Sequence, residues 1–278
     1  MMRKLATSIG ISTVLLVSGT ITSVSAHEEH SSASYSSDNS HCEVALNYDI
    51  TVEPKLLSIS DAGKEVYRIE MGKLYVQGEQ VPLNARQEKL LSQYSDQVST
   101  QVPEVIALVH DAVGIASTAA SMALTPLLGD AAGAKLDEMM DGFQQRVEKL
   151  AYQNGDKFYL GSTESSLEDT FGEDFEQEVE QLVKNSIGTM MMNLGSEMLS
   201  GDGDSFEQKM QSFGQKMENV GQDIELQMEA QAQELESRAD KMCDKFQNLI
   251  ALEQQLRIAV PELEKYPLID APKVELLE

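Results

Sequence analysis

Basic charge is what the sequence most lacks: 21 Lys and Arg stand against 46 Asp and Glu in 278 residues. Such a field repels nucleic acid and anionic lipid headgroups, and it favours cationic partners or divalent ions. Catalytic signatures are missing too. No GxSxG, SxxK, HExxH, CxxC or P-loop occurs, and Gly129 to Lys135 has neither the spacing nor the following Ser or Thr of a phosphate-binding loop. Nucleophilic catalysis has no visible apparatus, so the expectation is a non-enzymatic protein without catalytic residues, cofactor or metal site. Cysteine is limited to Cys42 and Cys243. Neither has a CxxC neighbour, which argues against redox catalysis.

What is present begins with a leader. Arg3 and Lys4 precede an apolar run from Leu5 to Val17, and Val24-Ser25-Ala26 is a small-residue cleavage site, so residues 1–26 read as a secretory signal cut between Ala26 and His27. The apolar core is short and interrupted, unlike a retained anchor. No cysteine stands at the cleavage point, which argues against a lipid-anchored product. The expected product is a soluble exported chain, 27–278, with 19 basic residues against 46 acidic and a net charge of −27.

Residues 27–41 are Ser- and His-rich with no large aliphatic side chain, and a disordered leader is expected. From Cys42 the period becomes two. Val44, Leu46, Tyr48, Ile50 and Val52 alternate as in one half-buried strand, and short apolar segments separated by Asp61-Ala62-Gly63, Gly72 and Gly78 extend it to a meander of three or four strands over 42–83. Asn84 with Gln87 forms a capping box that opens a helical region expected over 84–265. Pro103 is expected to kink the first helix or start a second.

The segment from Glu104 to Leu128 is nearly apolar. His110, Asp111, Ser117, Thr118, Ser121 and Thr125 gather within about a third of the helix circumference, which favours a packed helix over a membrane span. His110 beside Asp111 is the one acid/base pair in an apolar setting. Adjacent helical residues point about 100° apart, however, so structural hydrogen bonds account for them equally well. A further helix is expected to stop at Asn154-Gly155, with Phe158-Tyr159-Leu160 as a connector and another helix over about 166–199.

The longest element is read from Ser205 to Val260. Phe206, Met210, Phe213, Met217, Val220 and Ile224, then Met228, Ala232, Leu235, Ala239, Met242, Phe246 and Leu249, form one stripe with a single inserted step of four. The turn at 201–205 predicts that this helix folds back on the preceding one as a hairpin rich in methionine. Gly188 and Gly195, with Gly214 and Gly221, recur at intervals of seven on the two arms, which suits close backbone approach or gentle bending. The tail 266–278 carries Pro267 and Pro272 and is expected to be extended.

The fold class expected is therefore mainly α with a small N-terminal antiparallel β-meander, the rest being an elongated antiparallel helical bundle or coiled-coil hairpin. Strand-opening Cys42, the Leu74-Tyr75-Val76-Gln77-Gly78 segment before a helix, and a Met-, Glu- and Gln-rich helix with Cys243 leading to Leu249 and Glu253 resemble the YggN-like family of exported bacterial proteins. The resemblance implies a periplasmic location and no known activity. The function expected is a non-enzymatic interaction or chaperone-like protein presenting the Met-rich helical hairpin to client or envelope proteins, with a protein partner in the cell envelope and neither nucleic acid nor stable membrane insertion. The competing class is a metal- or small-ligand-binding protein using His27 and His30, the loop acids Asp202 and Asp204, or the methionines. Cys42 and Cys243 are expected to form a disulfide, because two thiols in an oxidising compartment favour pairing. Two separate buried thiols or an intermolecular bridge are the alternatives.

Overall fold

The computed structural model describes residues 34–37, 40–128, 130–199 and 206–270. The expected signal, the cleavage point at Ala26 and His27, the leader histidines and the loop with Asp202 and Asp204 lie outside the described residues.

Two strands, β1 (Ser34–Ser37) and β2 (Ser40–Leu46), pair antiparallel. The leader expected to be disordered therefore contributes a strand: main-chain pairing along β2 needs no apolar side chain. The single strand expected from Val44 to Val52 divides at Asn47. The Asn47 amide donates to Pro267 O (3.1 Å) and to Asp270 Oδ1 (3.0 Å), and its backbone N–H donates to Leu268 O (3.0 Å), tying this corner to the C-terminal segment. The chain then passes into a second sheet through β3 (Asp49–Glu53), β4 (Leu56–Asp61), β5 (Lys64–Glu70), β6 (Lys73–Val76) and β7 (Glu79–Val81). Three of these hairpins close through two-residue loops, Ala62-Gly63, Met71-Gly72 and Gln77-Gly78, with φ of 47° and 73°, 50° and 77°, and 51° and 85°. Positive φ at both positions is the type I′ turn, whose twist matches that of the strands.

Helix α1 (Ala85–Leu128) starts from the expected capping box: Asn84 Oδ1 accepts from Arg86 N (3.0 Å) and Gln87 N (3.1 Å), and Gln87 Oε1 accepts from Asn84 N (2.8 Å). It passes Pro103 without ending. Then follow α2 (Asp130–Leu150), β8 (Ala151–Asn154), β9 (Lys157–Leu160), α3 (Glu164–Phe171), α4 (Glu173–Leu199), α5 (Phe206–Ala259), a 3-10 turn at Pro261–Leu263 and β10 (Ile269–Asp270). The long final helix is continuous over 54 residues, about 80 Å.

The expected fold class is corrected in two respects. First, the sheet is seven-stranded, in the order β7-β6-β5-β4-β3-β9-β8, because a hairpin from the middle of the supposedly helical region adds beside β3. Asn154-Gly155, read as a helix cap, is the start of that hairpin's loop, with Gly155 at φ 60°, and Tyr152 stacks on Tyr159 at 5.2 Å across the strands. Second, the coiled-coil hairpin is overturned. Among the described residues α5 packs chiefly along α1, while α4 lies against α2 and α1. Gln87 to Ala259, Gln101 to Lys245, Glu104 to Lys245 and Asp111 to Arg238 mark the antiparallel course of α1 and α5. The helix expected over 166–199 breaks at Gly172, where a Cβ would stand 2.5 Å from Glu168 O.

The main core lies between the sheet and the facing halves of α1 and α5. Ile50, Leu57, Ile59, Tyr67, Ile69 and Leu74 from the strands meet Leu91, Tyr94, Val98 and Val102 of α1 and Leu249 and Leu256 of α5. Leu268 and Ile269 close one side. A second, smaller cluster forms away from the sheet, around Leu136 with Met139, Met140 and Leu182. It belongs to a helical arm made of the C-terminal half of α1, α2, α4 and the N-terminal part of α5.

Candidate functional site

The arm is where apolar sequence and burial disagree. Within Ala85–Thr125 an 18-residue window is long and apolar enough to cross a membrane, yet only 6% of it is buried. A core helix of that composition is ordinarily covered on most sides. Here α5, α2 and α4 lie along α1, and most residues from Val105 to Thr125 are partly covered rather than buried. Leu124 is 39% exposed, and Gly114 has no neighbouring atom within 4 Å of where a Cβ would stand. Val183 on α4 (50% exposed) and Leu226 on α5 (76% exposed) add apolar surface to the arm.

The polar residues of α1 are drawn to its neighbours. His110 Nε2 donates to Ala151 O at 2.7 Å, fastening α1 to the edge strand β8. Asp111 accepts from Arg238 at 2.5 Å on α5, and Ser121 donates to Asp137 at 3.0 Å on α2. The two candidate acid/base residues thus turn to different neighbours, β8 and α5, and do not share a common atom.

The stripe read along α5 faces inward where its burial is described: Met228, Ala239, Met242 and Leu249 are buried, and Met217, Val220, Ile224 and Leu235 are partly covered. Ala232 is exposed. The side chains of Met190, Met191, Met192 and Met210 lie outside the described residues. Of the glycines at intervals of seven, Gly188, Gly214 and Gly221 do not mediate close helix contact, having nothing within 4 Å of a built Cβ, and the surroundings of Gly195 lie outside what is described. Cys243 is buried and disulfide-bonded. The backbone of Cys42 belongs to β2, which lies against α5, while its side chain is outside the described residues. No three His, Cys, Asp or Glu side chains among the described residues converge as a metal-binding group.

Sequence reasoning missed three polar assemblies. Asp49, 2% exposed, accepts through Oδ1 from Ser162 N (2.9 Å), Thr163 N (3.0 Å) and Thr163 Oγ1 (3.0 Å), and through Oδ2 from Ser166 Oγ (2.6 Å), anchoring the start of α3 to β3. Glu253, 3% exposed, accepts from Leu268 N and, at 3.3 Å, from Ile269 N, clamping the C-terminal segment. Burial pushes its carboxyl above the ordinary range, opposed by those two donors and by Arg257. The Tyr67 and Tyr94 hydroxyls share a buried hydrogen bond, and burial raises both phenols. The spacing of Glu253 and Tyr94 within apolar stripes was the available signal for a polar group facing the core. A fourth feature it missed is an open cleft of about 760 Å³ beside the Pro54-Lys55 and Met71-Gly72 turns, with Ser92, Ser95, Asp96 and Ser99 of α1 along one wall. Lys55 and Met71 both take positive φ there, at 63° and 50°.

The sequence from Cys42 to Ile269, spanning the seven-stranded sheet, most of β2 and all five helices, matches a family described as protein of unknown function, DUF2884. The chain belongs to the DUF2884 family. The matched span begins in β2 and ends in β10, the two strands that pair with each other, so the family unit coincides with the closed fold. No curated protein and no solved structure matches this DUF2884 chain.

Proposed function

We propose that this chain is an exported, YggN-like, non-enzymatic protein of the periplasm that binds other proteins in a chaperone-like manner through its helical arm. The observation that carries the reading is the apolar window of α1, of which only 6% is buried. Apolar residues left only partly covered on a strongly acidic chain offer a contact face while the net charge opposes self-aggregation. Export is supported by the pattern of residues 1–26, and it agrees with pairing of Cys42 and Cys243, the only two cysteines of the sequence.

The test is suppression of aggregation of an unfolding client by the mature chain, compared with a variant carrying Leu124→Lys and Ala116→Lys at exposed positions of α1. Suppression by the wild type that the variant loses supports the proposal, and equal behaviour of the two refutes it. Fractionation with N-terminal sequencing checks the export component, for which a mature chain beginning at His27 in the periplasmic fraction is expected. Intact mass without reductant checks the disulfide: a monomer about 2 Da lighter than its reduced form is expected, and a covalent dimer or free thiols would remove it.

A further inference from the structure

The cleft beside the N-terminal half of α1 has a lining of three kinds. Its floor is apolar: Val52 and Ile69, 6% and 3% exposed, are core residues that also line it, with Leu56 beside them. One wall is a polar face of α1. Ser92, Ser95, Asp96 and Ser99 fall within about 100° of the helix circumference, next to the core stripe of Leu91, Tyr94 and Val98, and span about 10 Å along the axis. The rim is made of turns. Met71 N donates to Lys55 O at 2.9 Å, which joins the β3–β4 turn to the β5–β6 turn, and Asp156 comes from the β8–β9 loop. Met71 is 74% exposed there.

The polar part of this lining is left unsatisfied by the protein itself. Other hydroxyls of α1 bond back to their own helix, Thr100 Oγ1 to Asp96 O and Thr118 Oγ1 to Gly114 O, both at 2.8 Å. Those of Ser95 and Ser99, both half-buried, have no hydrogen-bond partner among the described residues. The charges are uneven as well. Glu53 is held by Lys157 at 2.9 Å, whereas Asp96 has only a 3.5 Å contact from Ser92 Oγ, and Asp156 has no ion pair among the described residues. Lys55 is the one base among the residues that line the cleft, against these two carboxylates.

We propose that the cleft binds a small organic cation, a primary amine on an apolar body, with the ammonium taken by the lining carboxylates and serine hydroxyls and the body lying on Val52, Leu56 and Ile69. The inference goes beyond the reading of the arm and does not depend on it. An anion would meet two free carboxylates and a chain of net charge −25. A neutral molecule gains the floor but forms no charge-assisted hydrogen bond. A bare metal ion gains nothing from an apolar floor, and no three His, Cys, Asp or Glu side chains among the described residues converge to hold one. The volume of about 760 Å³ suits a small ligand, and the flexible thioether chain of Met71 at the mouth adapts to an apolar body.

The experiment is calorimetric titration of the full mature chain with three probes that share one body and differ in the head: phenylbutylamine, phenylbutanol and phenylbutyrate. The amine is expected to bind about tenfold more tightly than the alcohol, a preference that shrinks about threefold between about 20 and 300 mM salt, and the carboxylate is expected to bind more weakly than both. Asp96→Asn with Asp156→Asn, at exposed positions, is expected to bring the amine down to the affinity of the alcohol. Ser95→Ala with Ser99→Ala is expected to weaken the amine about threefold. Circular dichroism melts confirm that each variant keeps the fold. Leu124→Lys with Ala116→Lys is expected to leave amine binding unchanged, which separates the cleft from the arm. No binding of the amine, equal affinity of amine and alcohol, tighter binding of the carboxylate, an amine affinity unchanged in either cleft variant, or its loss in the arm variant would overturn the proposal. If client suppression fails while the amine binds as expected, the reading of the arm falls and the cleft stands.

Discussion

The hydroxyls of Tyr67 on β5 and Tyr94 on α1 meet at 2.9 Å inside the core, each residue 1% exposed. Each phenol is the other's hydrogen-bond partner across the sheet–helix interface. Removing one leaves a buried hydroxyl unpaired, whereas removing both leaves two apolar rings of nearly the same shape. Tyr67→Phe is expected to cost about 1–2 kcal/mol in denaturant unfolding, and Tyr67→Phe with Tyr94→Phe to recover most of it. Additive losses in this double-mutant cycle would contradict the pairing.

Asp49 holds a junction between elements far apart in sequence, with four hydrogen bonds ending on its two oxygens. Asp49→Ala leaves two buried N–H groups and two hydroxyls without their acceptor. A loss of about 3–5 kcal/mol is expected. Urea unfolding measures it, and a loss under about 1 kcal/mol would show that water replaces the carboxylate.

Glu253 gives a pH dependence whose sign is opposite to that of an ordinary ion-paired carboxylate. Its folded-state pKa is raised by burial, so the folded chain holds this proton more tightly than the unfolded chain. Its contribution to stability is greatest below the unfolded value, about 4.3, and is lost as pH rises through the folded one. Urea midpoints of the wild type and of Glu253→Gln, compared from pH 4 to pH 8, are expected to show the wild type gaining more on acidification. Parallel curves would mean that the carboxyl titrates as it does in the unfolded chain.

Gln101 lies 6% exposed between α1 and α5, with Nε2 donating at 3.3 Å to Lys245 O and Oε1 left without a donor. Apolar side chains surround it beside a void of about 10 Å³. Gln101→Met is expected to be neutral or to stabilise by about 1 kcal/mol, because it removes an unsatisfied carbonyl at nearly constant volume. A clear drop in melting temperature would show that the amide has a role in holding α5.

The parts legible in the sequence were those with a strong local period or a local hydrogen-bond signature. The stripe from Met217 to Leu249 and the capping box at Asn84 and Gln87 are of this kind, as are the glycine-containing hairpins at Gly63, Gly72 and Gly78. The parts misread depend on partners distant in the chain. Phe158 to Leu160 looks like a short apolar connector until β3 is beside it, and Ser34 to Ser37 has no reason to be a strand except β2. The choice of α1 over α4 as the neighbour of α5 rests on interhelical pairs such as Asp111 with Arg238, which no one-dimensional pattern encodes. For the arm, α1 announced its apolar character and α5 its acidity, but that the two run side by side emerged only from the fold.

The pairing of β2 with β10 has a consequence for when the molecule can become itself. Asn47 finds its partners at Pro267, Leu268 and Asp270, and the core is not closed until Leu268 and Ile269 arrive. A chain growing from its N-terminus has nothing to complete its first sheet with until Ile269 and Asp270 have been made. Contacts of such long sequence separation slow folding, so this first sheet closes only after everything between its two strands has been synthesised.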